Sequence, residues 1–88
     1  MKGTTKSGFE YSVPEGVFDD MELIDALADV NSGRDGLQIS VVVRKIFDDE
    51  QRKRLYDHVR NEQGRVPTGD ILDLITEIAE ADTDGKNS

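Results

Sequence analysis

Residues 46–78, with the sequence IFDDEQRKRLYDHVRNEQGRVPTGDILDLITEI, decide the fold. Asp48 precedes Gln51 by three residues, so the Asp48 carboxylate can accept from the backbone amide of Gln51 while the Gln51 side chain returns a hydrogen bond. This capping box predicts the start of a helix. Gly64 suits the positive φ just past a helix end, and Pro67 suits the first turn of the next helix. The stretch therefore predicts two helices separated by a turn.

The two predicted helices differ in charge. Residues 52–65 carry five basic and two acidic residues, whereas residues 70–84 carry six acidic and no basic ones. Six like charges on one segment repel one another, and helix formation alone gives no reason for them. An acidic stripe opposite an apolar one is also the usual pattern of a solvated face. The residues predicted to bind a partner are Asp70, Asp73, Leu74, Glu77, Ile78 and Glu80.

The N-terminal segment has the pattern of a strand followed by a helix. Residues 8–13, GFEYSV, alternate apolar and polar side chains, and Pro14 ends the alternation. A lone strand cannot satisfy its own backbone, so it either pairs with another segment or lies as an arm on the helices. Asp19 and Glu22 form a second capping box, which predicts a helix over residues 20–30.

Residues 37–47, LQISVVVRKIF, fit two structures. Alternate residues from Leu37 to Val43 are apolar, and β-branched side chains favour a strand. However, Ile39, Val42 and Ile46 also fit one face of a helix, and the apolar run leads into the next cap without a Gly or Pro. The pattern leaves both open and favours the helix.

Together these segments predict a mainly α domain, a small bundle of about four helices with an N-terminal β-strand or extended arm. The arm covers residues 1–18, the helical domain covers residues 19–81, and a disordered polar tail covers residues 82–88. A chain of 88 residues makes one domain with a thin core.

Composition excludes several classes of function. The net charge of −8 repels phosphates and argues against a nucleic-acid partner. No apolar run approaches the ~20 residues that cross a bilayer, so we expect no membrane association. The chain has no Cys, which fits a reducing compartment. These features predict a protein of the cytoplasm.

His58 is the only histidine. With no Cys in the chain, a zinc site would need carboxylates for every other ligand. The adjacent Asp57 points to a different side of a helix and cannot orient the imidazole for catalysis. We therefore expect no metal, no cofactor and no enzymatic activity, with His58 on the surface.

Several motifs of residues 46–78 occur together in one known family. They are Glu50-Gln51, Leu55-Tyr56 in a charged helix, the turn EQGRVP at residues 62–67, and the amphipathic helix at residues 71–78, followed by the polar end GKNS. In this pattern the chain resembles the small tail assembly chaperones of long-tailed bacteriophages and prophages, especially those of actinobacterial hosts. The resemblance covers about half of the chain.

The resemblance implies a protein of the host cytoplasm that is absent from the finished virion. Such a protein coats the tape measure protein and keeps it soluble until tail tube subunits polymerise around it. The tape measure protein is thus the implied partner, with the tail tube protein and self-association as further contacts. The family also implies a longer product made by frameshifting, and residues 85–87 can be encoded with the slippery heptamer A AAA AAC.

The acidic composition leaves a second class of function open. An acidic regulatory or inhibitor module, such as an antitoxin or a nucleic-acid mimic, would have the same charge and the same lack of a catalytic motif. Gene neighbours discriminate between the two classes. Tube and tape measure genes favour the chaperone, whereas a toxin or nuclease gene favours the inhibitor.

Overall fold

A computed structural model describes the backbone of residues 1–87 and the side chains of residues 1–82. Its elements, in chain order, are β1 (Lys2–Thr4), β2 (Glu10–Ser12), α1 (Met21–Asn31), α2 (Gln38–Ile46), α3 (Asp49–Val59) and α4 (Thr68–Asn87). The predicted mainly helical fold is confirmed over these residues. None of the described helices combines the length and the hydropathy that a bilayer span requires.

The N-terminal segment is an antiparallel hairpin in which Gly3 lies opposite Tyr11. The predicted strand is confirmed at its centre, and its apolar side chains Phe9, Tyr11 and Val13 are buried as the alternation requires. No local pattern predicts β1, because a strand of three residues without apolar alternation has no recognisable period. A Cβ at Gly3 would overlap the phenol ring of Tyr11, so a larger residue at this position would have to displace that ring.

The start of α1 corrects the predicted capping box by one residue. Asp20, not Asp19, is the N-cap, and its carboxylate accepts from the amides of Glu22 and Leu23 at 3.0 and 3.4 Å. The Asp19 amide instead donates to the Gly16 carbonyl within the preceding turn. Aspartate is a favoured N-cap residue, so either of the two adjacent aspartates could cap the helix. The preceding turn decides which of them does.

The ambiguous segment forms a helix, α2. Val42, Val43 and Ile46 form its buried face, while Leu37 and Val41 are exposed. The helical period therefore accounts for which side chains of this segment are buried, whereas the alternation typical of a strand does not.

The start of α3 was predicted correctly and its end was not. Asp48 is the N-cap and accepts from the Gln51 amide at 2.8 Å. The Gln51 side chain does not return to Asp48, because it hydrogen-bonds the backbone of Ser12 in β2. The helix ends at Val59, five residues before Gly64.

A side-chain turn accounts for the early end of α3. The Asn61 carboxamide oxygen accepts from the amides of Gln63 and Arg65, each at 3.0 Å. Such a turn offers the backbone partners that a helix would otherwise supply. Gly64, with φ +80°, lies inside this turn and is not the helix cap that the sequence predicted.

The last helix is amphipathic over residues 71–78, as predicted, and its buried apolar face consists of Ile71, Leu74, Ile75 and Ile78. The backbone of α4 is helical as far as Asn87 and so continues past the predicted boundary at residue 81. Disorder of the tail at residues 82–88 stays a prediction, because Ser88 and the side chains of residues 83–88 lie outside the described residues.

One hydrophobic core joins the hairpin to all four described helices. The hairpin contributes aromatic and branched side chains, and the ring of Phe9 meets the ring of Phe47 edge-on at 6.2 Å between centroids. The buried apolar residues are Phe9, Tyr11, Val13, Leu23, Ala26, Val42, Val43, Ile46, Phe47, Leu55, Ile71, Leu74, Ile75 and Ile78. Because this core is small, each of its large side chains holds an appreciable share of the stability.

Candidate partner-binding surface

The six residues predicted to bind a partner separate into two groups. Asp70, Asp73 and Glu80 are exposed along α4. In contrast, Leu74 is 6% exposed and Ile78 is 0% exposed, so both belong to the core and are closed to a partner. Including them was a wrong prediction. On an amphipathic helix, successive residues point in directions about a quarter turn apart. A residue next to an acidic one in the sequence can therefore face the core.

Glu77 has an intramolecular partner. Its carboxylate oxygen Oε2 accepts from the backbone amide of Lys6 at 2.8 Å, and its side chain is half-buried. A charge-assisted hydrogen bond of this kind fixes the loop between β1 and β2 on α4. Glu77 therefore positions the hairpin loop, and the acidic ridge available to a partner consists of Asp70, Asp73 and Glu80.

A shallow, open cleft of about 420 Å³ begins at this ridge. The hairpin loop, the end of α3 and the first half of α4 surround it. Its lining residues are Lys6, Ser7, His58, Val59, Asp70, Asp73, Leu74 and Glu77. Sequence reasoning missed Lys6 and Ser7, because their contacts join residues 71 and 51 positions apart and no local pattern encodes that pairing.

His58 is exposed at the rim of the cleft, as predicted. Its Nε2 lies 2.9 Å from the Ser7 hydroxyl oxygen, and its ring lies 5.6 Å from the Phe9 ring. The same hydroxyl lies 3.2 Å from Oγ1 of Thr5. These contacts attach the hairpin loop to α3, in the same way that Glu77 attaches it to α4.

The charges around the cleft argue against an acyl-transfer reaction. A histidine beside a serine hydroxyl has the elements of a base and a nucleophile. The neighbouring walls, however, carry Asp70 and Asp73, and carboxylates destabilise the oxyanion that such a reaction develops. Within the described residues, no group of three or more His, Asp or Glu side chains is placed to hold a metal ion.

The ion pairs show which acidic groups are neutralised inside the molecule. Among the side chains of residues 1–82, ion pairs join Arg34 to Asp29, Lys45 to Asp20, Arg52 to Asp49, and Arg60 to Asp57. Asp70, Asp73 and Glu80 take part in none of these pairs. Arg52 of α3 pairs with Asp49 of the same helix and Arg54 bonds to the hairpin, so neither of them neutralises the α4 ridge.

Comparisons of the chain with protein-family models, with curated proteins and with solved structures find no match. The resemblance of residues 46–78 to tail assembly chaperones therefore stays a prediction.

Proposed function

We propose that this protein is a tail assembly chaperone of a long-tailed phage or prophage, which binds the tape measure protein and keeps it soluble during tail assembly. The observation that carries the proposal is the acidic ridge of α4. Asp70, Asp73 and Glu80 are exposed, and none belongs to an ion pair of the described side chains. A row of free carboxylates is suited to basic side chains of a client chain.

Two further observations support a transient binder. The motifs of residues 46–78 resemble the chaperone family, and the ridge lies on the helix that completes those motifs. The apolar residues of α4 face the core, so a client would meet a charged surface whose contacts break readily when tube subunits replace them. The proposal places the protein in the host cytoplasm, outside the finished virion, with no catalytic role.

Co-expression with the tape measure protein encoded beside it tests this function. We expect the wild-type chain to increase the soluble fraction of the tape measure protein several-fold. The variant D70N/D73N/E80Q removes the charge of the ridge with little change of shape and should lose most of that effect. The matched control is E15Q/D19N/E62Q, which removes three exposed charges elsewhere and should behave as the wild type.

The outcomes separate the chaperone from other functions. A tape measure protein that stays insoluble with the wild-type chain would count against the proposal. Equal loss of effect in both triple variants would count against the ridge. The codons of residues 85–87 supply an independent check, since a gene without a slippery run there cannot make the longer product at this site.

The second class, an acidic inhibitor, would use the same exposed carboxylates. Its genetic signature differs, because a toxin or nuclease gene would adjoin it in place of tube and tape measure genes. Purified protein offers a direct test. A nucleic-acid mimic would inhibit the nuclease that the adjacent gene encodes, and a chaperone would not.

A further inference from the structure

A second surface of the molecule is apolar and open to solvent. Leu37 is 84% exposed, Met21 68%, Ile24 42% and Val41 39%, and all four belong to the pair formed by α1 and α2. The exposed Ala28 lies on the same side of α1. These five residues are called the α1–α2 strip below. The proposed chaperone function does not use the strip.

The geometry of the helix pair makes the strip continuous. An ion pair of 3.7 Å joins Asp20, at the start of α1, to Lys45, in the last turn of α2, so the two helices are antiparallel. One turn from this pair toward the connecting loop, the same faces present Ile24 on α1 and Val41 on α2. One turn further they present Ala28 and Leu37. The exposed apolar side chains therefore follow both sides of one groove.

The two outer borders of the strip have opposite charges. On α1, the side that faces away from α2 carries Asp25 next to Met21 and Ala28. The last turn of this helix has no basic residue. On α2, the outward side carries Arg44 next to Leu37 and Val41, and the first turn of this helix has no acidic residue. Arg44 donates to the Ser40 hydroxyl of its own helix and belongs to no ion pair of the described side chains. The strip thus has an acidic border and a basic border.

We propose that the α1–α2 strip is the contact between two copies of this chain, related by a two-fold axis parallel to the two helices. Such an axis places α1 of each copy on α2 of the other, and the four helices form an antiparallel bundle. The apolar residues then meet at the centre. Asp25 of each copy lies beside Arg44 of the other, so the opposite borders pair twice. A second copy fits both the apolar and the charged parts of the surface.

The size of the strip sets the strength of the contact. Two helices that lie side by side, each about 10 Å wide and about 15 Å long, present a projected area of about 300 Å². This area is well below the ~800 Å² per partner of a standard interface. The net charge of −8 on each copy opposes association further. We therefore expect a reversible dimer with a dissociation constant of about 10 to 100 µM at an ionic strength of about 0.15 M.

Sedimentation equilibrium of the full chain, from about 5 to about 500 µM, measures this association. We expect the wild-type mass to rise with concentration from the 9.8 kDa monomer toward twice that value. L37D places a charge within the strip, at its most exposed apolar residue, and should stay monomeric. Since Leu37 makes little contact with the core, the circular dichroism of L37D should match that of the wild type. A wild-type chain that stays at 9.8 kDa throughout would overturn the proposal.

A charge exchange tests the two-fold arrangement. R44E brings like charges together at both borders and should weaken the dimer about fivefold. The double variant D25R/R44E restores opposite charges with the signs reversed and should regain most of that affinity. The control K53E makes the same change of charge on the exposed face of α3 and should dimerise like the wild type, apart from the small effect of net charge. Equal weakening by R44E and K53E, or no recovery in the double variant, would overturn the arrangement.

Discussion

Helices α3 and α4 are both amphipathic, but they are held in the molecule in different ways. α3 has one fully buried large side chain, Leu55, and its polar residues reach the hairpin: Gln51 bonds the backbone of Ser12, and Arg54 donates to the Glu10 carbonyl. α4 has four buried apolar residues, and its exposed carboxylates Asp70, Asp73 and Glu80 belong to no ion pair of the described side chains. Polar side chains of α3 hold the hairpin, whereas these three carboxylates of α4 are available to another molecule.

This difference shows where a change affects stability and where it affects function. Substitutions on the polar side of α3 should weaken the attachment of the hairpin. Substitutions of Asp70, Asp73 and Glu80 on α4 should leave the fold intact, with at most a small change of stability, and should alter what the protein binds.

The largest effect is expected in the buried face of α4. Replacing Ile78, which is 0% exposed, by Ala should lower the free energy of unfolding by about 2–5 kcal/mol, because burial is lost and a cavity remains. Urea denaturation followed by circular dichroism measures the change. The control is Leu72→Ala on the same helix, which should lose less than half as much because Leu72 is only half-buried. Equal losses would mean that α4 is not anchored by its apolar face.

A smaller effect is expected where α3 holds the hairpin. Gln51→Ala removes the hydrogen bonds of 2.8 and 2.5 Å to the backbone of Ser12 and should cost about 1–2 kcal/mol. Hydrogen exchange should accelerate at the Ser12 amide. Lys53→Ala, at an exposed position of the same helix, should leave that amide unchanged. Unchanged exchange in both variants would contradict the polar attachment.

The cap of α3 should contribute a similar or slightly smaller amount. Asp48→Ala removes the acceptor for the Gln51 amide and should cost about 1 kcal/mol. Asp49→Ala, one residue further on, removes only an exposed ion pair with Arg52 and should cost less than about 0.5 kcal/mol. Thermal unfolding of the two variants side by side distinguishes them, and a reversed order would place the cap at Asp49.

The smallest effect should differ in sign between the two helices. Asp73 lies three and four residues from Asp70 and Glu77, so Asp73→Asn relieves like-charge repulsion and should stabilise the fold by about 0.2–0.5 kcal/mol. Asp57→Asn removes the partner of Arg60 and should destabilise the fold slightly. Urea denaturation at low salt, where these interactions are least screened, should show opposite shifts. Shifts of the same sign would contradict the contrast between α3 and α4.

Local patterns in the sequence predicted much of this fold. The stripe of α4, the helix α1 and the Asp48 cap all depend on residues within a few positions of one another, and all three are confirmed. The predicted helix ends were wrong where a neighbouring residue made the capping or turn hydrogen bonds instead. Asp20 capped α1 in place of Asp19, and the side chain of Asn61 ended α3 before Gly64.

The surface was less predictable than the fold. The helical period of α4 separates exposed Asp73 from buried Ile78, but the engagement of Glu77 by the hairpin loop depends on how that loop docks. The contacts of Lys6 and Ser7 with residues far along the chain follow from the docking of the hairpin, which no local motif specifies. The α1–α2 strip also depends on the pairing of two helices whose relative direction the sequence leaves open.

The attachment of the hairpin to α3 has a consequence for aggregation. In β2, the backbone N–H and C=O groups of Tyr11 point toward β1. The backbone groups of Glu10 and Ser12 point to the opposite side, which is the outer edge of β2 in this two-stranded sheet. Such an edge is a template for strand addition from another chain. The carboxamide of Gln51 occupies both backbone groups of Ser12, and the guanidinium of Arg54 occupies the Glu10 carbonyl. Side chains of α3 thus lie where a third strand would pair with β2, and they protect this edge of the sheet from strand addition.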